Sequence, residues 1–192
     1  MQYSYEQLKQ IIQNRRSIYP ASYINKEIPT DVIQEILNSA NYAPTHKKTE
    51  PWRFVVLRGD AKIRLGQTLA RLYKEKVHPD LFLEKKYTSF SIKAEQAGCI
   101  IAICVQYHPE KLPAWEEVAA VAAAVQNMAL TATALGVGSY WSSPPLISAL
   151  PDFLELSENQ ECIGLFYMGY HEQTELPVKR GDISLKVKWW DQ

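Results

Sequence analysis

Glycine is scarce in this chain, 8 of 192 residues, and none of the eight falls in a G-x-G-x-x-G pattern. A dinucleotide resident on a Rossmann turn is thereby excluded, because that turn needs glycines for its tight bend and for close backbone approach to a pyrophosphate. Net charge is missing too: Lys plus Arg and Asp plus Glu each number 21. Such a balance creates no long-range field, so neither nucleic acid nor an anionic membrane surface is an expected partner. Cysteine is limited to Cys99, Cys104 and Cys162, each inside an apolar run and none at a metal-ligand interval from a histidine. They read as buried, reduced thiols, and no metal site is expected. The four histidines (His46, His78, His108, His171) sit in polar stretches without a nucleophile elbow, which leaves no Ser-His-Asp arrangement. Long apolar runs are absent as well. Met1 to Glu6 is polar, and the Ala-rich stretch from Val118 to Leu135 is interrupted by Gln126, Asn127, Thr131 and Thr133. The expectation is a cytoplasmic protein with neither signal peptide nor spanning helix.

What is present describes an ordinary soluble globular chain: 46% hydrophobic and 22% charged residues, enough to bury one core. Residues 1–192 are expected to form a single domain. Ser4-x-x-Gln7 reads as a capping box opening a helix with Leu8, Ile11 and Ile12 on one face. Pro29-Thr30-Asp31 opens a second helix, whose apolar residues recur at helical spacing from Val32 to Ala40 before Pro44 stops it. Strands are expected at Arg53–Arg58, Gly98–Gln106 and Glu161–Tyr170, the middle one buried on both faces because its apolar run is continuous. Helices are expected at about 61–76 and 115–135, the latter ended by Gly136. The segment 77–93 reads as one or two short helices packed loosely near an active-site rim. The fold class is α+β, of the three-layer α/β type, with a mixed central sheet flanked by helices.

Three segments carry chemistry. Asn14-Arg15-Arg16-Ser17 places two guanidiniums beside a hydroxyl at a helix end, a donor set that matches phosphate oxygens. Ala43-Pro44-Thr45-His46-Lys47-Lys48-Thr49-Glu50-Pro51-Trp52 leads into the first strand. The third is Gly138-Ser139-Tyr140-Trp141-Ser142-Ser143-Pro144-Pro145. In this order the segments resemble the nitroreductase family of FMN-dependent oxidoreductases, in particular a compact subgroup with the motif Ala-Pro-x-His-Lys-x-x-x-Pro-Trp. The correspondence covers most of the chain.

The resemblance implies FMN as bound cofactor and NADH or NADPH as transient electron donor. A small-molecule acceptor, nitroaromatic or quinone, then takes the electrons by a ping-pong mechanism. It implies an intertwined homodimer with flavin sites built from both chains. Arg15, Arg16 and Ser17 are assigned to the phosphate, ribityl chain and polar ring edge, and His46 to a flavin contact. Trp141, Ser142 and Ser143 form a loop against the flavin. Arg180, with Lys179, is assigned to a further phosphate contact, the alternative being exposed charges. Tyr42 either lines the site or packs, and Trp52 belongs to the core. Many relatives carry Asn and Gln before Pro-Trp where this chain has Thr49 and Glu50, so the partner of the ring edge is open. No acid–base catalytic residue is required, because flavin N5 carries the hydride. The indoles of Trp189 and Trp190 fit a dimer contact or fold back on their own subunit. Two other functions stay open: a non-catalytic FMN-storing dimer, and a flavoenzyme of the same fold with other chemistry, such as reductive dehalogenation or oxygen-dependent flavin breakdown.

Overall fold

The run from Cys99 to Val105 is apolar at every position because both faces of its strand are covered. A computed structural model describes residues 3–172, 178 and 180–191 of the chain. In it, strand β2 (Cys99–Gln106) pairs antiparallel with β1 (Trp52–Leu57) on one side and with β4 (Gln160–Tyr170) on the other. A further strand, β3 (Val137–Ser142), pairs antiparallel with β4 and completes a four-stranded sheet of order β1-β2-β4-β3. Odd-numbered β2 side chains (Cys99, Ile101, Ile103, Val105) enter one core with Phe166 and Met168. Even-numbered ones (Ile100, Ala102, Cys104) enter a second core with Leu165 and Tyr167. This is the two-residue period of a strand expressed with apolar residues on both sides.

Helices α2 (Thr30–Ala40) and α5 (Ala114–Ala134) cover the first face. Helices α3 (Gly59–Lys76) and α4 (Glu84–Gln96) cover the second. The expected three-layer α+β arrangement is thus present. Its sheet is antiparallel throughout the four strands, and among the described residues the parallel component shrinks to one bridge, Ser17 with Ser139. Two local readings need correction. Segment 77–93 is a 3-10 turn (Pro79–Leu81) followed by α4, packed tightly against α3: a Cβ on Gly66 would stand 2.7 Å from the Ala94 Cβ. Gly138 to Ser142 is a strand, and its glycine and serines had masked the pattern.

Helix α1 (Tyr5–Asn14) is capped by Ser4, whose side chain accepts the Gln7 N–H at 3.3 Å. Its apolar side is uncovered, Leu8 being 54% and Ile12 51% exposed. A short helix α6 (Pro151–Leu154) closes the second core. The three cysteines are buried and unpaired. Among the described residues no helix is long and apolar enough to cross a membrane.

Candidate functional site

Where α1 ends, the chain does not leave the body of the molecule. Arg15 donates its backbone N–H to the Ile11 carbonyl at 2.9 Å and turns the chain into an extended run. That run docks along the outer edge of β3: Ser17 bridges Ser139, and the Ile18 N–H donates to the Ser139 carbonyl at 3.0 Å. Gly138 permits the approach, since a Cβ there would lie 2.6 Å from His171 and 3.0 Å from Ile18. Between this run, β3 and the outer side of α5 opens a cleft of about 220 Å³. Arg15, Ser17 and Ser139 form its polar side. Ala122, Val125 and Ala129 of α5, with Phe166 and Trp141, form its apolar walls, and Gln126 stands at its edge. Small residues on α5 keep this space open; a helix with larger side chains at those positions would fill it.

Arginines dominate the electrostatics. The Arg15 guanidinium is held below its ordinary pKa, first by burial and then by repulsion from Arg180 and Arg16. Arg15 and Arg180, 165 positions apart in the chain, are thus near enough to repel each other. Arg16 donates to the carbonyls of Gln13 and Arg15, so it folds back on the helix end and caps it. Arg15 is the residue that reaches the cleft, and among the described residues no acceptor engages its guanidinium. A guanidinium in the cleft lining, with two more cations near enough to repel it and no carboxylate among the lining residues, makes a site for an anion.

Trp141 belongs to β3, opposite Phe166, and is a wall of the cleft and not a loop residue. Its indole lies across Gly164, where a Cβ would stand 1.8 Å from Nε1. That nitrogen is buried without an acceptor among the described residues. Ser142 closes the strand and its side chain bonds Tyr140, so the expected loop begins only at the exposed Ser143. Tyr140 itself stacks on Tyr167 with ring centroids 5.2 Å apart, and burial raises its phenol.

The His-Lys segment forms a second patch. It contains a 3-10 turn (His46–Lys48), and Lys47, Lys48 and Glu50 all take left-handed backbone, with φ of 49°, 53° and 43°. Each non-glycine residue there costs of order 1 kcal/mol or more, so the surroundings must over-determine the shape. They do. The Thr45 hydroxyl accepts the Glu50 N–H at 3.1 Å, and Thr49 is buried. Lys47 Nζ donates to the Lys111 carbonyl at 2.8 Å, and His46 Nδ1 lies 2.6 Å from the Glu116 carboxylate. Glu116 precedes Ala122 by six residues, about 9 Å along the helix at 1.5 Å per residue. Within one chain His46 thus stands at the amino end of α5, outside the cleft lining.

Tyr42 is 85% exposed and lines a separate open groove of about 590 Å³ with Asn38, Trp52 and Phe54. Trp52 is buried in the first core and donates to Asn41 Oδ1 at 3.2 Å. Lys179 lies outside the described residues. Sequence reasoning missed Ser139, Phe166, the α5 wall and Glu116. The run of alanines was a usable signal for the wall, whereas nothing local marked Glu116 as the partner of a histidine 70 positions away.

The chain is 28% identical over 179 residues to YfhC of Bacillus subtilis, a protein provisionally named an NAD(P)H nitroreductase, spanning 92% of this chain and 90% of YfhC. A nitroreductase-like family protein of Bacillus cereus superposes with a TM-score of 0.83 at 23% identity, covering 100% of both chains. The FMN-dependent nitroreductase NfnB of Mycobacterium smegmatis, solved in complex with NADPH, superposes with a TM-score of 0.77 at 17% identity, covering 96% of this chain and 98% of NfnB. At those identities the two structures speak for the fold. The sequence speaks for more: residues 12–170 match the model described as the nitroreductase family, a span from the last turn of α1 to the end of β4, and on it the chain belongs to that family.

Proposed function

We propose that the protein is an FMN-dependent NAD(P)H oxidoreductase that passes electrons to nitroaromatic, quinone or similar electron-poor acceptors. The observation that carries this reading is Arg15 beside Ser17 in a cleft with apolar and aromatic walls, with Arg180 and Arg16 near enough to repel it. Its donor set fits FMN, which pairs a dianionic phosphate and a polyol with an apolar ring system. When bound, FMN supplies the hydride-carrying centre. The chain's own residues do the rest. Arg15 and Arg180 take the negatively charged end of the ligand, Ser17 and Ser139 offer hydroxyls, and Trp141, Phe166 and the α5 alanines exclude water from the ring. A guanidinium near the ring edge would also favour the reduced, more anionic form. NfnB, which binds NADPH and depends on FMN, supports the pairing of donor and cofactor.

The same reading takes the protein as a homodimer. Leu8 and Ile12 on α1, Trp115 on α5, and Leu185, Trp189 and Trp190 in the tail leave a large apolar area exposed on one chain. A second copy would cover it, and would bring a His46 loop to a cleft that lacks one of its own. The deciding test is spectral. Purified protein incubated with FMN should retain yellow flavin absorbance through gel filtration, and anaerobic NADH or NADPH should bleach it. A colourless protein overturns the reading; a yellow one that neither nicotinamide bleaches is an FMN store.

A further inference from the structure

Consecutive glutamates in the first turn of α5 each take a histidine from a different loop. Glu116 meets His46 Nδ1 at 2.6 Å, and Glu117 accepts both His108 Nδ1 at 2.7 Å and the His108 backbone N–H at 2.8 Å. The second pair is buried, Glu117 being 1% exposed, and closes the turn between β2 and α5. The first is different in kind. His46 stays largely open to its surroundings while Glu116 is mostly covered, with side-chain exposures of 60% and 23%. His46 also belongs to the segment with three left-handed residues, strapped by Lys47 to the Lys111 carbonyl in the turn that leads into α5.

We infer that Glu116 is a positioning residue for His46: it fixes the imidazole in the Nδ1–H tautomer and leaves Nε2 as the atom the site presents. The inference deepens the flavin reading above and rests on it for the ligand. An ionised carboxylate only accepts hydrogen bonds, so the ring nitrogen 2.6 Å from it must donate. Neutral His46 then offers a lone pair at Nε2, which accepts from an N–H or O–H group of the ligand and does not bond a carbonyl or phosphate oxygen. On FMN such donors are the ring N3–H and the ribityl hydroxyls. The strained turn serves this end. With His46 on Glu116 and Lys47 on the Lys111 carbonyl just ahead of α5, the loop is held where the imidazole meets the carboxylate.

The experiment has an arm that needs no flavin. Nitrogen-15 NMR of the apoprotein at about pH 8.5, two units above the ordinary histidine pKa, reads the tautomer of His46 directly. Nδ1–H is expected in the wild-type chain. The Glu116→Gln variant can donate through its amide, so it should show the Nε2–H form or a mixture. FMN affinity should fall about tenfold in Glu116→Gln, the worth of one hydrogen bond. It should fall similarly in His46→Ala, and the double variant should be no worse than either. A wild-type Nε2–H tautomer, an unchanged affinity in Glu116→Gln, or additive losses in the double variant would each overturn the assignment. If no variant or wild-type sample binds FMN, the cofactor reading fails while the NMR arm still decides the Glu116–His46 pairing.

Discussion

Replacing Arg15 by Met should push binding and stability in opposite directions. The guanidinium reaches the cleft, is partly buried, and is crowded by Arg180 and Arg16 with no acceptor among the described residues. Methionine keeps the apolar stem and removes the charge. A charge-assisted contact to phosphate is worth about 1.5–3 kcal/mol, so the FMN dissociation constant should rise roughly 10- to 150-fold. The apoprotein loses a repulsion instead. Like charges at a partly exposed site interact by up to about 1 kcal/mol, which for a chain of this size raises Tm by up to about 2–4 °C. Fluorescence titration with FMN and a calorimetric scan of the apoprotein measure both numbers. Salt offers a control, since wild-type affinity should weaken between low and high ionic strength more than that of Arg15→Met. Unchanged FMN affinity would refute the anion-site argument. Weaker binding together with a lower apoprotein Tm would refute it as well, because the loss would then come from a damaged fold.

Gly164→Ala should displace Trp141, whose Nε1 would face the new methyl at 1.8 Å. A drop of about 1–3 kcal/mol in urea unfolding, with a changed near-ultraviolet circular dichroism spectrum, is expected. Burial pushes the Cys99 thiol up from 9.0 to about 12. Above about pH 9 the unfolded chain therefore holds fewer protons than the folded one, and stability falls with rising pH, by about 1.4 kcal/mol per pH unit for this group. Denaturation series at pH 8 to 10.5 should show a shallower decline in Cys99→Ala; an equal slope would contradict the burial argument. Sedimentation should report a dimer for the wild-type chain, and the Trp189→Ser/Trp190→Ser double variant should dissociate at higher concentration. A wild-type monomer would remove the two-chain site from the proposal.

The elements that were legible in the chain are those whose signal is local. Apolar spacing of 3.6 in 30–40, a continuous apolar run in 99–106 and an N-cap at Ser4 need no distant partner to be read, and the structure places α2, β2 and α1 there. Arg15, Ser17 and Trp141, which line the cleft, stood out in the sequence because short motifs carry them. β3 was not legible: Gly138, Ser139 and Ser142 carry no strand preference, and their extended backbone exists because β4 pairs with it on one edge and Ser17 on the other. Residues brought together by chain reversal escaped in the same way. Arg180 comes near enough to repel Arg15, and Glu116 meets His46, through the path of the whole chain. Propensity and periodicity act over a few residues, so they settle which helices and strands form. The convergence of charges on a cleft depends on how those elements pack, and a linear reading holds no record of that.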